Sequence, residues 1–294
     1  MNSAPRLLPV RVILLLLWAC ASGCHVAPSS LVKIAVEGAV KAVEASRPIS
    51  DSEEYYVGRA VAARIFSMYP LYQDEGLTLY VNLVGRAVAR KSSRPFTFRG
   101  YHFAVLDSME LNAFACPGGI VLITRGLLGL CEDEDQLAAV LAHEVGHVAH
   151  KDGINSISQA RWTEVLTFVG TRVVKGSGGI AAKLISLFEG SIEDVFKTIV
   201  VNGYSRSAEE EADAEAVKIL AEAGYDPRAM AALLDKMASL DKGGGGLLST
   251  HPPVNDRISK VKAIYAETPP VEAQDLRISR FKTAARGQLT QPNP

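Results

Sequence analysis

The sequence predicts an α+β fold, mostly helical, with a small β-sheet beside one central helix. Two observations carry this. Apolar residues recur at three- and four-residue intervals over most of the chain. Two strand-like stretches, Phe96 to Leu106 and Ile120-Val121-Leu122-Ile123-Thr124, lie close together in its middle.

Taken in order, the first helix starts near Ser52, where Tyr56, Ala60, Ala63, Ile65 and Phe66 mark the pattern and Pro70 closes it. A second runs from about Glu75 to Arg90, with Leu79, Leu83, Val84, Ala87 and Val88 read as one side. Between the two strand-like stretches, Pro117-Gly118-Gly119 signals a turn. Four consecutive acids, Glu132 to Asp135, then precede the central helix, where negative charge favours the positive end of the helix dipole. Leu137, Val140, Leu141, Val145 and Val148 are its inward residues. Residues 154–201 read as two helices around Gly176-Ser177-Gly178-Gly179, each too short to span a bilayer, which takes about 20 apolar residues. Another helix runs from near Ser205 to Gly224, and a further one opens at Asp226-Pro227 and stops at the Gly243–Gly246 run. After Pro269 the chain is polar and is expected to be partly disordered.

Composition narrows the function. The 294 residues are 48% hydrophobic and 21% charged with a net charge of −1, ordinary for a folded domain. With no basic block, nucleic acid is not an expected partner. Arg6 and Arg11 precede the apolar run Val12 to Trp18, the layout of an export signal. Ala21-Ser22-Gly23-Cys24 resembles a bacterial lipobox, with Cys24 as the lipidated residue; Cys20, after Trp18-Ala19, is a rival site. The expected organisation is a lipoprotein signal over 1–23, a tether over 24–50, a catalytic domain over 51–268 and a polar tail over 269–294. His25 follows the cysteine, so by resemblance to Gram-negative sorting rules the anchor would sit in the outer membrane, facing the periplasm. Cys116 and Cys131 are expected to be a free pair, since two cysteines make no disulfide framework.

The chemistry is concentrated in His143-Glu144-Val145-Gly146-His147. Residues i and i+4 share a helix face, so two imidazoles can point at one metal ion. Glu144 beside them is placed to take a proton from water. This is the HExxH arrangement of zinc peptidases, a short pattern that also arises by chance. A catalytic zinc needs a third protein ligand and one open position. Glu209, on the later helix, supplies that ligand, and Asp213 is its i+4 partner. Asp213 can accept the far N–H of a zinc-binding histidine and fix its orientation. Glu210 and Glu211 point away around the helix and are read as solvated.

With these motifs the chain resembles the M48 metallopeptidases over roughly Ser52 to Ala266. The resemblance rests on Asn112-Ala113-Phe114-Ala115 with Pro117-Gly118-Gly119, on Gly126-Leu127-Leu128, and on the HEVGH segment. It continues through Tyr204-Ser205-Arg206 with Glu209 and Asp213, Gly224-Tyr225-Asp226-Pro227, and Thr250-His251-Pro252-Pro253 followed by Arg257. It implies a zincin of the gluzincin type with one zinc per chain. His143, His147 and Glu209 would be the ligands and Glu144 the acid/base. Asn112, Ala113, Phe114 and Ala115 would form the edge strand on which an extended substrate lies. His251 would take the fourth zinc position as a gate, its loop stiffened by the prolines after it. No multi-span membrane core is visible, so the nearer likeness is to short periplasmic lipoproteins. The implied activity is cleavage of unfolded or misassembled envelope proteins; the alternative is a zinc-stabilised, chaperone-like assembly factor with latent proteolysis.

Overall fold

In a computed structural model, the chain is described over residues 49–156, 190, 192–240, 251, 254–265, 271 and 274–285. The expected signal, nearly all of the tether and the Gly176–Gly179 and Gly243–Gly246 runs lie outside the described residues. Among those described, no helix is long and apolar enough to cross a membrane.

Helix α1, Asp51–Met68, begins at a capping box: the Ser50 side chain accepts from the Glu53 N–H while the Glu53 carboxylate accepts from the Ser50 N–H. Helix α2 is Glu75–Ala89. Strands β1, His102–Leu106, β2, Ala113–Cys116, and β3, Ile120–Thr124, follow. Next come α3, Arg125–Leu130, and the central helix α4, Glu134–His150. A π-helical turn over Thr198–Asn202 leads into α5, Arg206–Ala223, then α6, Arg228–Leu240, α7, Val254–Ile264, and α8, Gln274–Ala285. The mostly helical α+β expectation holds.

The sheet order is β1-β3-β2, with β1 parallel and β2 antiparallel to β3. Side chains alternate between its faces, as the pleat requires. Phe103, Val105, Ala113, Ala115, Val121 and Ile123 join the core with α2 and α4, while Leu106, Phe114, Cys116 and Leu122 join the one with α1. The outer edge of β1 is taken. Leu71 bridges to Leu106, the Tyr72 N–H donates to the Val105 carbonyl, and Asn82 exchanges hydrogen bonds with the Phe103 backbone. The other edge of β2 has no strand beside it among the described residues; the strand is buried and packs on α4, α1 and the π-helical turn.

The helix faces were only partly legible. In α2 the buried side is Leu77, Val81, Val84 and Val88, whereas Leu79 and Leu83 are 62% and 61% exposed. The stripe through Leu79 and Leu83 is therefore one register off: an almost wholly apolar helix offers two credible faces, and packing on Phe103 chooses between them. In α1 the buried side is Val57, Val61, Ala62 and Ile65, with Tyr56 exposed.

The polar C-terminal stretch contains α8, which buries Arg277, Phe281 and Ala285. Its anchor is the acid run. Asp133 caps α4 by accepting from the Gln136 N–H, and Glu134 and Asp135 behind it are each only 1% exposed. Arg277 donates to Asp135 at 2.9 Å, and Arg280 donates through Nε to Glu134 at 2.6 Å. The hydroxyls of Tyr80 and Tyr225 complete the shell of Glu134 at 2.8 and 3.0 Å. The first turn of α4 is thus tied to α2, α8 and the start of α6. Breaking a buried ion pair from one side leaves an uncompensated charge, at a cost of about 3 kcal/mol. Arg277→Ala should lower the unfolding free energy in urea by that amount; an unchanged midpoint would show that α8 is not a structural clamp.

Candidate metal centre

Helix α4 is buried along nearly its whole length, so its polar residues are exposed to neighbouring elements and not to water. Among the described elements it packs on α5 more extensively than any other two pack together. Gly146 allows this: a Cβ there would lie 3.2 Å from the Cα and the carbonyl oxygen of Ala212. That close approach sets Glu209 and Asp213, one turn apart on α5, against His143 and His147, one turn apart on α4.

The four side chains His143, His147, Glu209 and His251 are all buried, and each offers a ligand atom within 4.8 Å of the others. The Nε2 atoms of His143 and His147 are 3.1 Å apart. Glu209 lies 3.5 Å from the first and 3.4 Å from the second, through Oε2 and Oε1 respectively. Nδ1 of His251 lies 2.7 Å from Oε1 of Glu209 and 3.3 Å from Nε2 of His143. Glu144 is 1% exposed, and its Oε2 has no hydrogen-bond partner among the described residues. Its Oε1 is 3.8 Å from Nε2 of His251.

The outer nitrogens are fixed by carboxylates. Nδ1 of His143 lies 3.0 Å from Asp213, and Nδ1 of His147 donates to Asp152 at 2.7 Å. A carboxylate can only accept, so each histidine presents an Nε2 lone pair inward. Arg257 organises the far side. It clasps Asp213 with two bonds of 2.7 Å, reaches Oε2 of Glu209 at 2.8 Å, and donates to the His251 carbonyl at 3.0 Å. Burial alone would raise the Asp213 carboxyl, but Arg257 and His143 outweigh it and bring it down to about 2. Glu209 is likewise held far below the usual carboxylate range: burial opposes its charge, and the surrounding imidazoles overcome that.

These residues fit a zinc ion. Inward lone pairs from imidazole and carboxylate are its preferred donors. Three deeply buried carboxylates, Glu144, Glu209 and Asp213, also face a single buried guanidinium, that of Arg257, which leaves a formal excess of negative charge for a cation to neutralise. Neither cysteine belongs to the set; Cys116 and Cys131 are both free and buried, as expected.

The structure brings together every residue read from the sequence as a ligand or its support. His143, Glu144, His147, Glu209, Asp213 and His251 share one site. Asn112 to Ala115 lie alongside, in and just before β2, which packs against α4. His150 is half-buried on another side of α4, Glu211 is exposed and Glu210 half-buried. Asp152, the anchoring role of Arg257 and the ring of Tyr204 were not legible. Asp152 follows Lys151, which ends α4 in the left-handed region at φ 59° and turns the chain back toward His147. No helical spacing encodes such a return. Arg257 sits in a recognisable motif, but its partners lie on α5, far away in sequence.

Losing a carboxylate that orients a zinc-binding histidine costs roughly 10- to 100-fold in metal affinity. Asp152→Ala should show that loss in competition with a chromophoric chelator; unaltered affinity would mean that Asp152 does not hold His147.

Residues 77–265 match peptidase family M48. The chain is 27% identical over 264 residues to the beta-barrel assembly-enhancing protease of Escherichia coli K12, covering 84% of this chain and 52% of that protein. It is 29% identical over 198 residues to the mitochondrial metalloendopeptidase OMA1 of Schizosaccharomyces pombe, covering 66% and 54%. It is 24% identical over 188 residues to the metalloprotease LoiP of E. coli K12, covering 63% and 68%. The chain thus spans about half the length of the first two relatives. With the site built from the same segments that carry the match, this chain belongs to peptidase family M48.

Proposed function

We propose that the protein is a zinc-dependent endopeptidase that cleaves unfolded or misassembled proteins of the cell envelope. The observation that carries the reading is Glu144. Its carboxylate is buried beside the converging ligands with Oε2 unpartnered, an arrangement that a purely structural metal site does not need. Zinc bound by His143, His147 and Glu209 would supply Lewis acidity toward a peptide carbonyl and toward water. Glu144 takes the proton of the attacking water on its free oxygen and hands it to the departing amine. Asp213 and Asp152 keep the two imidazoles in the tautomer that leaves Nε2 free. The β2 edge that no described strand pairs receives the substrate as an added strand, held through its backbone and hence with little regard to sequence, which suits unfolded chains.

His251 is the resting-state element in this reading. Its Nδ1 lies among the donor atoms, 2.7 Å from Oε1 of Glu209, and with zinc bound would fill the position that a catalytic site must leave open. The expected export signal and the lipobox-like Ala21-Ser22-Gly23-Cys24 segment support the envelope as the place of action, as do the bacterial relatives named as assembly-enhancing and LoiP proteases. Cys24 would carry the lipid that holds the enzyme to the membrane, with one or two further acyl chains needed for stable attachment.

Glu144→Gln should retain the fold and one zinc per chain while cleavage of a denatured protein falls at least 100-fold, read on a gel beside metal analysis. Cleavage at an unchanged rate would remove the acid/base role. An unchanged cellular phenotype in the inactive variant would favour the assembly-factor alternative. His251→Ala should raise basal cleavage with zinc content preserved; lower activity with zinc retained would instead make His251 a participant in the reaction.

A further inference from the structure

Tyr204 takes no part in the reaction as derived, yet the backbone is shaped to deliver it into the site. The π-helical turn Thr198–Asn202 ends on Gly203 at φ 75° and ψ 174°, a conformation that a side chain would strain. Ser205, two residues beyond, caps α5 by accepting from the Ala208 N–H. Between these two fixed points Tyr204 has little freedom. Its ring stacks on His147, with centroids 4.2 Å apart and planes 24° from parallel. Its hydroxyl is buried and donates to the Ala115 carbonyl at 3.5 Å.

The register of β2 gives that contact its meaning. The Asn112 carbonyl accepts from the Thr124 N–H, so Asn112, Phe114 and Cys116 turn their backbone groups toward β3. Ala113 and Ala115 turn theirs to the other edge, which no strand pairs among the described residues. The edge of β1 is already closed by Leu71, Tyr72 and Asn82. The Ala115 carbonyl is therefore an acceptor that an added strand would use, and the Tyr204 hydroxyl sits on it. At 3.5 Å the bond is stretched beyond the 2.7–2.8 Å at which hydroxyl donors settle, so a backbone N–H at normal distance displaces it readily. Packing against His147 needs only the ring; a phenylalanine would do that without burying a hydroxyl on one long bond.

We propose that Tyr204 is a positioning residue with two functions: its ring braces His147, and its hydroxyl occupies the Ala115 carbonyl until an extended peptide claims it. The proposal deepens the peptidase reading and rests on β2 being the substrate strand. The O–H bond would then turn about Cζ–Oη and release the carbonyl without unstacking the ring, so metal binding and strand addition are governed by different parts of one residue.

The two parts separate by substitution. In zinc-loaded protein carrying Glu144→Gln, binding of a fluorescein-labelled ten-residue peptide of leucine, serine and alanine is followed by anisotropy. Tyr204→Phe should tighten that binding about threefold or more and leave zinc affinity unchanged. With Glu144 restored, the same change should lower KM and leave kcat as it was. Tyr204→Leu, which removes the ring, should weaken zinc binding at least tenfold in chelator competition while the metal-free melting temperature moves little. A phenylalanine variant that binds the peptide no tighter, or absence of peptide binding by both forms, overturns the guarding role. A leucine variant with full zinc affinity overturns the bracing role. Should the phenylalanine variant bind the peptide more tightly while wild-type protein cleaves nothing, the peptidase reading fails and the proposal for Tyr204 stands.

Discussion

The arrangement depends on one electrostatic constraint: Glu144, Glu209 and Asp213 are buried together with Arg257 as the one buried guanidinium among them. An ionised carboxylate out of water is expensive unless paired, and a single arginine cannot pair three. Neutral imidazoles with lone pairs turned inward are acceptors too, so without a metal the rings offset this charge only by taking up protons. A divalent cation resolves both problems at once. Arg257 then has a second task, since it holds Asp213, Glu209 and the His251 backbone in fixed relation. It joins the ligand helix to the segment bearing the fourth donor.

The scaffold serves to hold this charged group in apolar surroundings. Gly146 lets α4 and α5 approach until His143, His147 and Glu209 converge, with His251 joining them from outside both helices. Glu134 and Asp135 fasten the other end of α4 to α2, α6 and α8 through tyrosine hydroxyls, a backbone N–H and two arginines. The zinc-binding turn is thereby held between a tight helix contact and a polar clamp. A site built on such elements keeps its geometry better than one built on loops. His251 lies outside any described helix and is connected to the rest through Arg257.

Most of the site was legible because helical periodicity is a local rule. Two histidines four apart, and two acids four apart on another helix, state their common faces without any knowledge of the fold. Two strands were legible through alternation and β-branched content, although the first begins at His102 and not at Phe96, while β2, with no β-branched residue, was read only from the family resemblance. What stayed hidden depends on the path between elements. Asp152 reaches His147 only because Lys151 reverses the chain, Tyr204 because Gly203 redirects it, and α8 because two arginines find Glu134 and Asp135 more than a hundred residues away. The misread face of α2 has a different cause. With Leu79 and Leu83 as apolar as Leu77 and Val81, periodicity names a helix but not its buried side.

The central claim is that the negative charge and inward lone pairs of this site are gathered for one zinc ion. X-ray absorption at the zinc edge, on protein purified with its metal, tests it most directly. The account predicts one zinc per chain with only nitrogen and oxygen neighbours, and imidazole scattering that falls by one ring in His251→Ala. A sulfur neighbour, or zinc far below one per chain in protein that is folded and supplied with the metal, would contradict it.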